Sequence, residues 1–276
     1  MKKRLKLKKE GRIFFGIIFL FSSFLFIYSL SNIFNWFKDN KKTDNQVKEI
    51  IEKVEVTEIK DNDNTEIIIQ EKEEPINSPY WNYIKTPLIS VDFNELKEIN
   101  SETVGWINLP GTNINYPFVQ TKDNDYYLNH SFDKTNNKAG WIFLDYRNNL
   151  FNLNKNTILY GHSRINNTMF GSLKNTLKDS WFQNPDNHII RLSTETENSM
   201  WQIFSVYTIP TTNDYIVTDF NNTDEFNNFV NMIILRSVHN FNTNVASTDY
   251  ILTLSTCYKT DERVVVHAKL IKKEAR

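Results

Sequence analysis

The chain has 276 residues, 40% of them hydrophobic and 14% aromatic, enough for one domain of ordinary size with a real core and some appendages. A formal net charge of −1 gives no basis for a nucleic-acid partner, because phosphate binding needs a basic surface. The single cysteine excludes an intramolecular disulfide and any multi-cysteine zinc or iron–sulfur site.

Residues 1–12 carry Lys2, Lys3, Arg4, Lys6, Lys8, Lys9 and Arg12 against Glu10 alone. Residues 13–37 contain no charged side chain. At about 1.5 Å per residue this stretch spans a hydrocarbon core of roughly 30 Å. The preceding positive charges predict a cytoplasmic N-terminus, with the rest of the chain outside. A cleaved signal peptide normally has a shorter apolar region followed by a small-residue cleavage site, so an uncleaved anchor is the better expectation. Residues 38–79 are rich in Lys, Glu, Asp and Asn and lack aromatics, which predicts a solvated tether. Val47, Ile50, Ile51 and Val54 have helical spacing and leave a short stalk helix as the other reading.

Aromatics return at Tyr80, where the folded domain of residues 80–276 is expected to begin. A helix is predicted over 91–99, with Phe93, Leu96 and Ile99 on one face. Short runs rich in β-branched and aromatic residues follow at 105–107, 116–120, 140–145, 157–160, 188–193, 201–209, 250–256 and 263–271, separated by Asn, Gly, Asp and Pro clusters. Eight such strands predict a mainly β fold, a closed or nearly closed barrel. A second helix is predicted over 224–238, with Phe226, Phe229, Val230, Ile233 and Ile234 on one side.

A lone cysteine is most often a small buried hydrophobe, but an exported one is unusual enough to test for reactivity. Cys257 ends one strand run and Arg263 opens the next. A hairpin closed over 258–262 without a bulge pairs Cys257 with Arg263 on one face. A neighbouring cation favours the thiolate, which is the nucleophilic form. Arginine stays protonated, so Arg263 would hold substrate or stabilise an oxyanion rather than act as a base. Histidine is the usual general acid. His267 lies four residues beyond Arg263, about 13 Å along the strand, too far from Cys257. His130, His188 and His239 each read as structural or surface residues. His162 follows an apolar strand run and Gly161, at the kind of strand end where catalytic groups are often presented.

These segments resemble one known family. Thr253-Leu254-Ser255-Thr256-Cys257 looks like the cysteine signature of sortases, and Leu159-Tyr160-Gly161-His162-Ser163 followed by Thr168-Met169-Phe170 resembles the surroundings of their catalytic histidine. The run from Arg263 to Leu270 resembles the strand that bears the family arginine. The segments 113–117 and Leu144-Asp145-Tyr146-Arg147-Asn148 are also similar to family segments. The resemblance spans roughly residues 81–271 and implies an eight-stranded sortase-like β-barrel. N-terminal helices and a long helix before the cysteine-bearing strand make it most like class B, although the spacing from Cys257 to Arg263 is shorter than is usual there.

The resemblance implies a membrane-anchored cysteine transpeptidase acting on secreted proteins with a C-terminal sorting motif, NPQTN-like or Ser/Asn-Pro-x-Thr-x. Cys257 would attack the threonine carbonyl to form a thioester. His162 would protonate the departing amine and deprotonate the incoming one, an amine of a peptidoglycan precursor. Ser255 and Thr256 would line the substrate groove, with Tyr215 as a further groove residue. No cofactor or metal is implied. Pilin polymerisation and a non-catalytic sortase-like scaffold are the alternatives within the family. An L,D-transpeptidase is disfavoured because Thr256, not glycine, precedes Cys257, and a papain-like protease because His162 precedes the cysteine in the chain.

Overall fold

The computed structural model describes residues 9–59, 68–69, 74–258 and 261–276, with only the backbone described at 68–69 and 257–258. Residues 2–8 of the basic segment lie outside the described residues, as do 60–67 and 70–73 of the expected tether. The chain folds as two compact units, 1–43 and 44–276. The first unit is helical from Lys9 onward, the start of helix α1 (Lys9–Lys53), and its apolar side chains between Ile13 and Phe37 are exposed. This helix is long and apolar enough to cross a membrane.

The second unit starts well before Tyr80. The last turns of α1 belong to it, with Ile50 and Val54 buried in the main core. Strand β1 (Val56–Ile59) then pairs antiparallel with β3 (Leu88–Val91). Two short helices, α2 (Tyr80–Tyr83) and α3 (Asn94–Ile99), flank β3, so the helix expected over 91–99 forms only from Asn94 onward. Val91 is fully buried and pairs with Val56 as strand.

The sheet contains β4 (Thr103–Leu109), β5 (Ile114–Val119), β6 (Phe143–Leu144), β7 (Asn156–Gly161), β8 (Ile189–Ser193), β9 (Glu197–Pro210), β10 (Ile251–Tyr258) and β11 (Glu262–Ala275). Their order is β10-β7-β6-β5-β4-β8-β9-β11, and the β10–β11 pairing closes the circle into an eight-stranded barrel. The short β2 (Ile68–Ile69) adds to β11 at Lys272 and Lys273. The β10–β7 and β5–β6 pairs are parallel, and the other barrel pairs are antiparallel. Each of the eight predicted runs overlaps one of these strands, the run over 140–145 only at Phe143–Leu144.

Strand β11 shows why the pattern reads as it does. Val264, Val266, Ala268 and Leu270 belong to the main core, as alternation requires. The opposite face is not solvated. Beyond the one-turn helix α4 (Asp179–Phe182), a 14-residue helix, α5 (Thr223–Arg236), contributes Phe226, Phe229, Val230 and Ile233 to a second core with Tyr215 and Val265. Its N-terminus is capped by Asn222, whose side chain accepts from the Glu225 amide, while the Glu225 carboxylate accepts from the Asn221 amide. At its other end Arg236 forms a two-pronged ion pair with Asp214. Ile234, expected on the buried side, is 37% exposed.

Beneath α5 runs a closed polar chain. Asn156 Oδ1 accepts from the Thr253 hydroxyl, at 2.7 Å. Thr253 Oγ1 therefore accepts from His267 Nδ1, at 2.8 Å, and His267 Nε2 accepts from the Tyr207 hydroxyl, at 2.9 Å. His267 is thereby a satisfied core histidine, held as one neutral tautomer.

Candidate functional site

Three strand ends meet at one end of the barrel. Strand β10 lies between β7 and β11. Its register pairs Thr256 with Gly161 on β7 and Cys257 with Arg263 on β11. His162 directly follows Gly161, so the Cys257 backbone has the His162 position on one side and the Arg263 position on the other. The Cys257–Arg263 pairing is the one that the spacing predicts. The Cys257 side chain lies outside what is described. His267 pairs with Thr253, far down the same hairpin.

His162 sits against main chain. Its Nε2 donates to the Leu128 carbonyl at 2.8 Å, which leaves Nδ1 of the neutral ring as the proton acceptor. Burial lowers its pKa; the Leu128 carbonyl opposes this, and the charges of Arg164 and Arg263 add to it. The ring needs a glycine below it. Gly140 has φ +62°, and a Cβ there would lie 2.6 Å from His162 Cδ2 and 2.6 Å from the Tyr127 carbonyl oxygen. Arg263 is part-buried, with Nη1 donating to the Glu262 carbonyl at 3.2 Å.

The other histidines have structural surroundings. His130 donates to the Tyr126 carbonyl and stacks on that ring. His188 and His239 each stack on Phe182 and bond to the carbonyls of Phe182 and Thr176 respectively.

A groove of about 530 Å³ opens beside these strand ends, with His162 and Arg263 in its lining. Its floor includes Ser255 on β10, Tyr160 on β7 and Phe143 on β6, in register across three strands. Thr256 also lines it. Tyr215 is 1% exposed and also belongs to the lining, its hydroxyl 2.9 Å from Ser255 Oγ. Ser255, Thr256 and Tyr215 thus share one groove with His162 and Arg263.

A further wall, built around Asp145, includes none of the residues given a site role from the sequence. Asp145 is 0% exposed and receives five hydrogen bonds: from the Arg147 amide, Nε and Nη2, from Asn124 Nδ2 and from the Tyr160 hydroxyl. Burial alone would raise the Asp145 pKa, but the bonds from Arg147 and Tyr160 and the guanidinium charge outweigh it and hold it low. Arg147, Asn124 and Tyr160 all line the groove, and Arg147 Nη2 also reaches the Ile216 carbonyl at 3.3 Å. The sequence signals for this wall are the run Leu144–Asn148 and Tyr160 beside His162, both in segments that resemble the family's but announce no such wall by themselves. Among the described residues no group of three or more His, Cys, Asp or Glu could hold a metal ion.

A closed eight-stranded barrel thus sets a cysteine, a histidine and an arginine position side by side at one end, beside a groove that His162 and Arg263 line. The sortase domain family matches residues 107–271. Sortase B of Staphylococcus aureus is 40% identical over 208 residues, covering 74% of this chain and 82% of that protein. Sortase B of Listeria monocytogenes is 37% identical over 187 residues, covering 66% of this chain and 75% of that protein. A solved sortase B–substrate complex from S. aureus superposes with a TM-score of 0.61 at 43% identity, covering 65% of this chain and 84% of that one. The chain belongs to the sortase family of cysteine transpeptidases, with sortase B proteins as its relatives.

Proposed function

We propose that this protein cleaves a C-terminal sorting signal of secreted proteins and joins the new carboxyl end to an amine of a peptidoglycan precursor. The supporting observation is the register that flanks Cys257 with the His162 and Arg263 positions at the mouth of the groove. The Cys257 thiol gives its proton to His162 Nδ1, and the thiolate attacks the carbonyl carbon of the motif threonine. Arg263 stabilises the resulting oxyanion. Collapse breaks the peptide bond, and the departing amine takes the proton from His162. The thioester then receives the incoming amine, which passes its proton to His162, and expulsion of the Cys257 sulfur leaves a new amide. A neutral imidazole at rest, favoured by the lowered His162 pKa, suits the first and last of these transfers.

Ser255, Thr256 and Tyr215 hold the peptide, which is NPQTN-like or of the Ser/Asn-Pro-x-Thr-x type. Helix α1 anchors the protein over residues 13–37, with residues 1–12 cytoplasmic and the catalytic unit outside, where cell-wall precursors are joined. A fluorogenic NPQTN-like peptide tests the reading. Cleavage by the wild type should be lost in Cys257→Ala and after thiol alkylation. Cleavage that survives both would refute the mechanism.

A further inference from the structure

The loop that leaves His162 is held from outside as well as from within. A Ser163–Met169 bridge and a bond from the Phe170 amide to the His162 carbonyl, at 3.1 Å, close its base. Inside it, Asn166 Oδ1 accepts from the Thr168 amide and hydroxyl, and the Asn167 amide donates to the Arg164 carbonyl. Asn167 and Met169 have φ of 61° and 52°, left-handed values that asparagine tolerates but that are uncommon for a residue such as methionine. Two side-chain bonds hold the loop from outside: Asn113 Nδ2 reaches the Asn167 carbonyl at 3.4 Å, and Asn166 Nδ2 donates to Asp44 Oδ1 at 2.9 Å.

Asp44 belongs to the last turns of α1, where the helix enters the catalytic unit. The same turns are fixed by Ile50 and Val54 in the barrel core. A residue at the entry of the unit is therefore tied, through one amide, to the loop whose first residue follows His162.

We propose that Asp44 and Asn166 are positioning residues for His162, acting through the 163–169 loop. This rests on His162 being the proton-transfer residue of the proposed transpeptidation. The contact faces solvent, so its effect is modest: loss of one charge-assisted bond in favour of like-charge contact corresponds to about a threefold to tenfold change.

The experiment uses the full chain in detergent, with three variants: Asn166→Asp, Asp44→Asn and the double exchange. Asn166→Asp sets two carboxylates face to face but keeps the acceptor for Thr168. The exchange restores one amide donor and one carboxylate with their places reversed. Readouts are kcat and KM for the sorting peptide, the thermal midpoint, and the imidazole resonances of isotope-labelled His162. Asn166→Asp should lower kcat about threefold to tenfold with KM and thermal midpoint little changed, and should shift the His162 resonances. The double exchange should restore both signals to within about twofold of wild-type kcat. An unaffected Asn166→Asp variant overturns the proposal, as does a double exchange no better than the single change. A loss of kcat that follows the thermal midpoint without moving the His162 resonances also overturns it, because the contact is then only structural. If the wild type turns over no sorting peptide, the transpeptidase reading fails, while the His162 resonances still decide whether the contact positions that ring.

Discussion

Replacing Asp145 by asparagine should loosen one wall of the groove and leave the reacting end intact. The carboxylate takes five donors on two oxygens, two on Oδ1 and three on Oδ2. An amide turned to keep Oδ1 presents N–H groups to Arg147 Nη2 and Asn124 Nδ2, both of which can only donate. Breaking one half of a fully buried ion pair costs about 3–5 kcal/mol. Here Arg147 is 37% exposed and water can reach it, so about 2–3 kcal/mol is the better figure. For a domain of this size that is a fall of about 4–12 °C in thermal midpoint. Acid sharpens the test. The Asp145 pKa is held below the ordinary carboxylate value, so its contribution is full above about pH 4 and disappears as pH falls through the folded value. The gap between wild type and Asp145→Asn should therefore narrow at low pH. In the peptide assay KM should rise more than kcat falls, because Arg147, Asn124 and Tyr160 line the groove, whereas none of Asp145's five bonds involves His162 or Arg263. Calorimetry between pH 3 and 8 with paired kinetics checks both points. A stability change under about 0.5 kcal/mol, or a collapse of kcat at unchanged KM, would refute the reasoning.

Gly140→Ala should lower peptide turnover more than stability alone accounts for, because the added Cβ clashes with both the His162 ring and the Tyr127 carbonyl; kinetics set against thermal midpoints read the difference. His267, pushed down to about 3 by burial and secondarily by the charge of Arg236, takes up its proton on unfolding once pH drops below about 6.5. It therefore makes stability fall by up to about 1.4 kcal/mol per pH unit on acidification, and His267→Gln should remove that slope in denaturant titrations between pH 6 and 4. Tyr215→Phe deletes the contact with Ser255 Oγ and should cost about 0.5–1.5 kcal/mol, appearing mainly in KM. Asn222→Ala removes the α5 cap and should cost about 1 kcal/mol in chemical denaturation with kinetics unchanged.

What the chain discloses in advance depends on whether a feature is local. The barrel strands are legible because each buries a short run of β-branched or aromatic residues between turn residues, and α5 because four of its buried side chains repeat at helical spacing. The Cys257–Arg263 pairing is legible for the same reason, since one short hairpin fixes it. The strand pairing of β1 with β3 is not, because Val56–Ile59 is four residues long and its partner lies beyond the expected tether. Val47, Ile50 and Val54 repeat at helical spacing, so a helix is legible there, but nothing in the local pattern announces that the barrel core covers Ile50 and Val54. Nor does alternation on β11 reveal that its second face is also buried; that depends on α5, donated from a distant part of the chain. The groove wall is the extreme case. Asn124, Asp145, Arg147 and Tyr160 come from three separate segments and read singly as ordinary polar residues. Only closure of the barrel turns Asp145 from a residue in a turn into a buried anion that needs five donors, and that requirement is what ties the groove together.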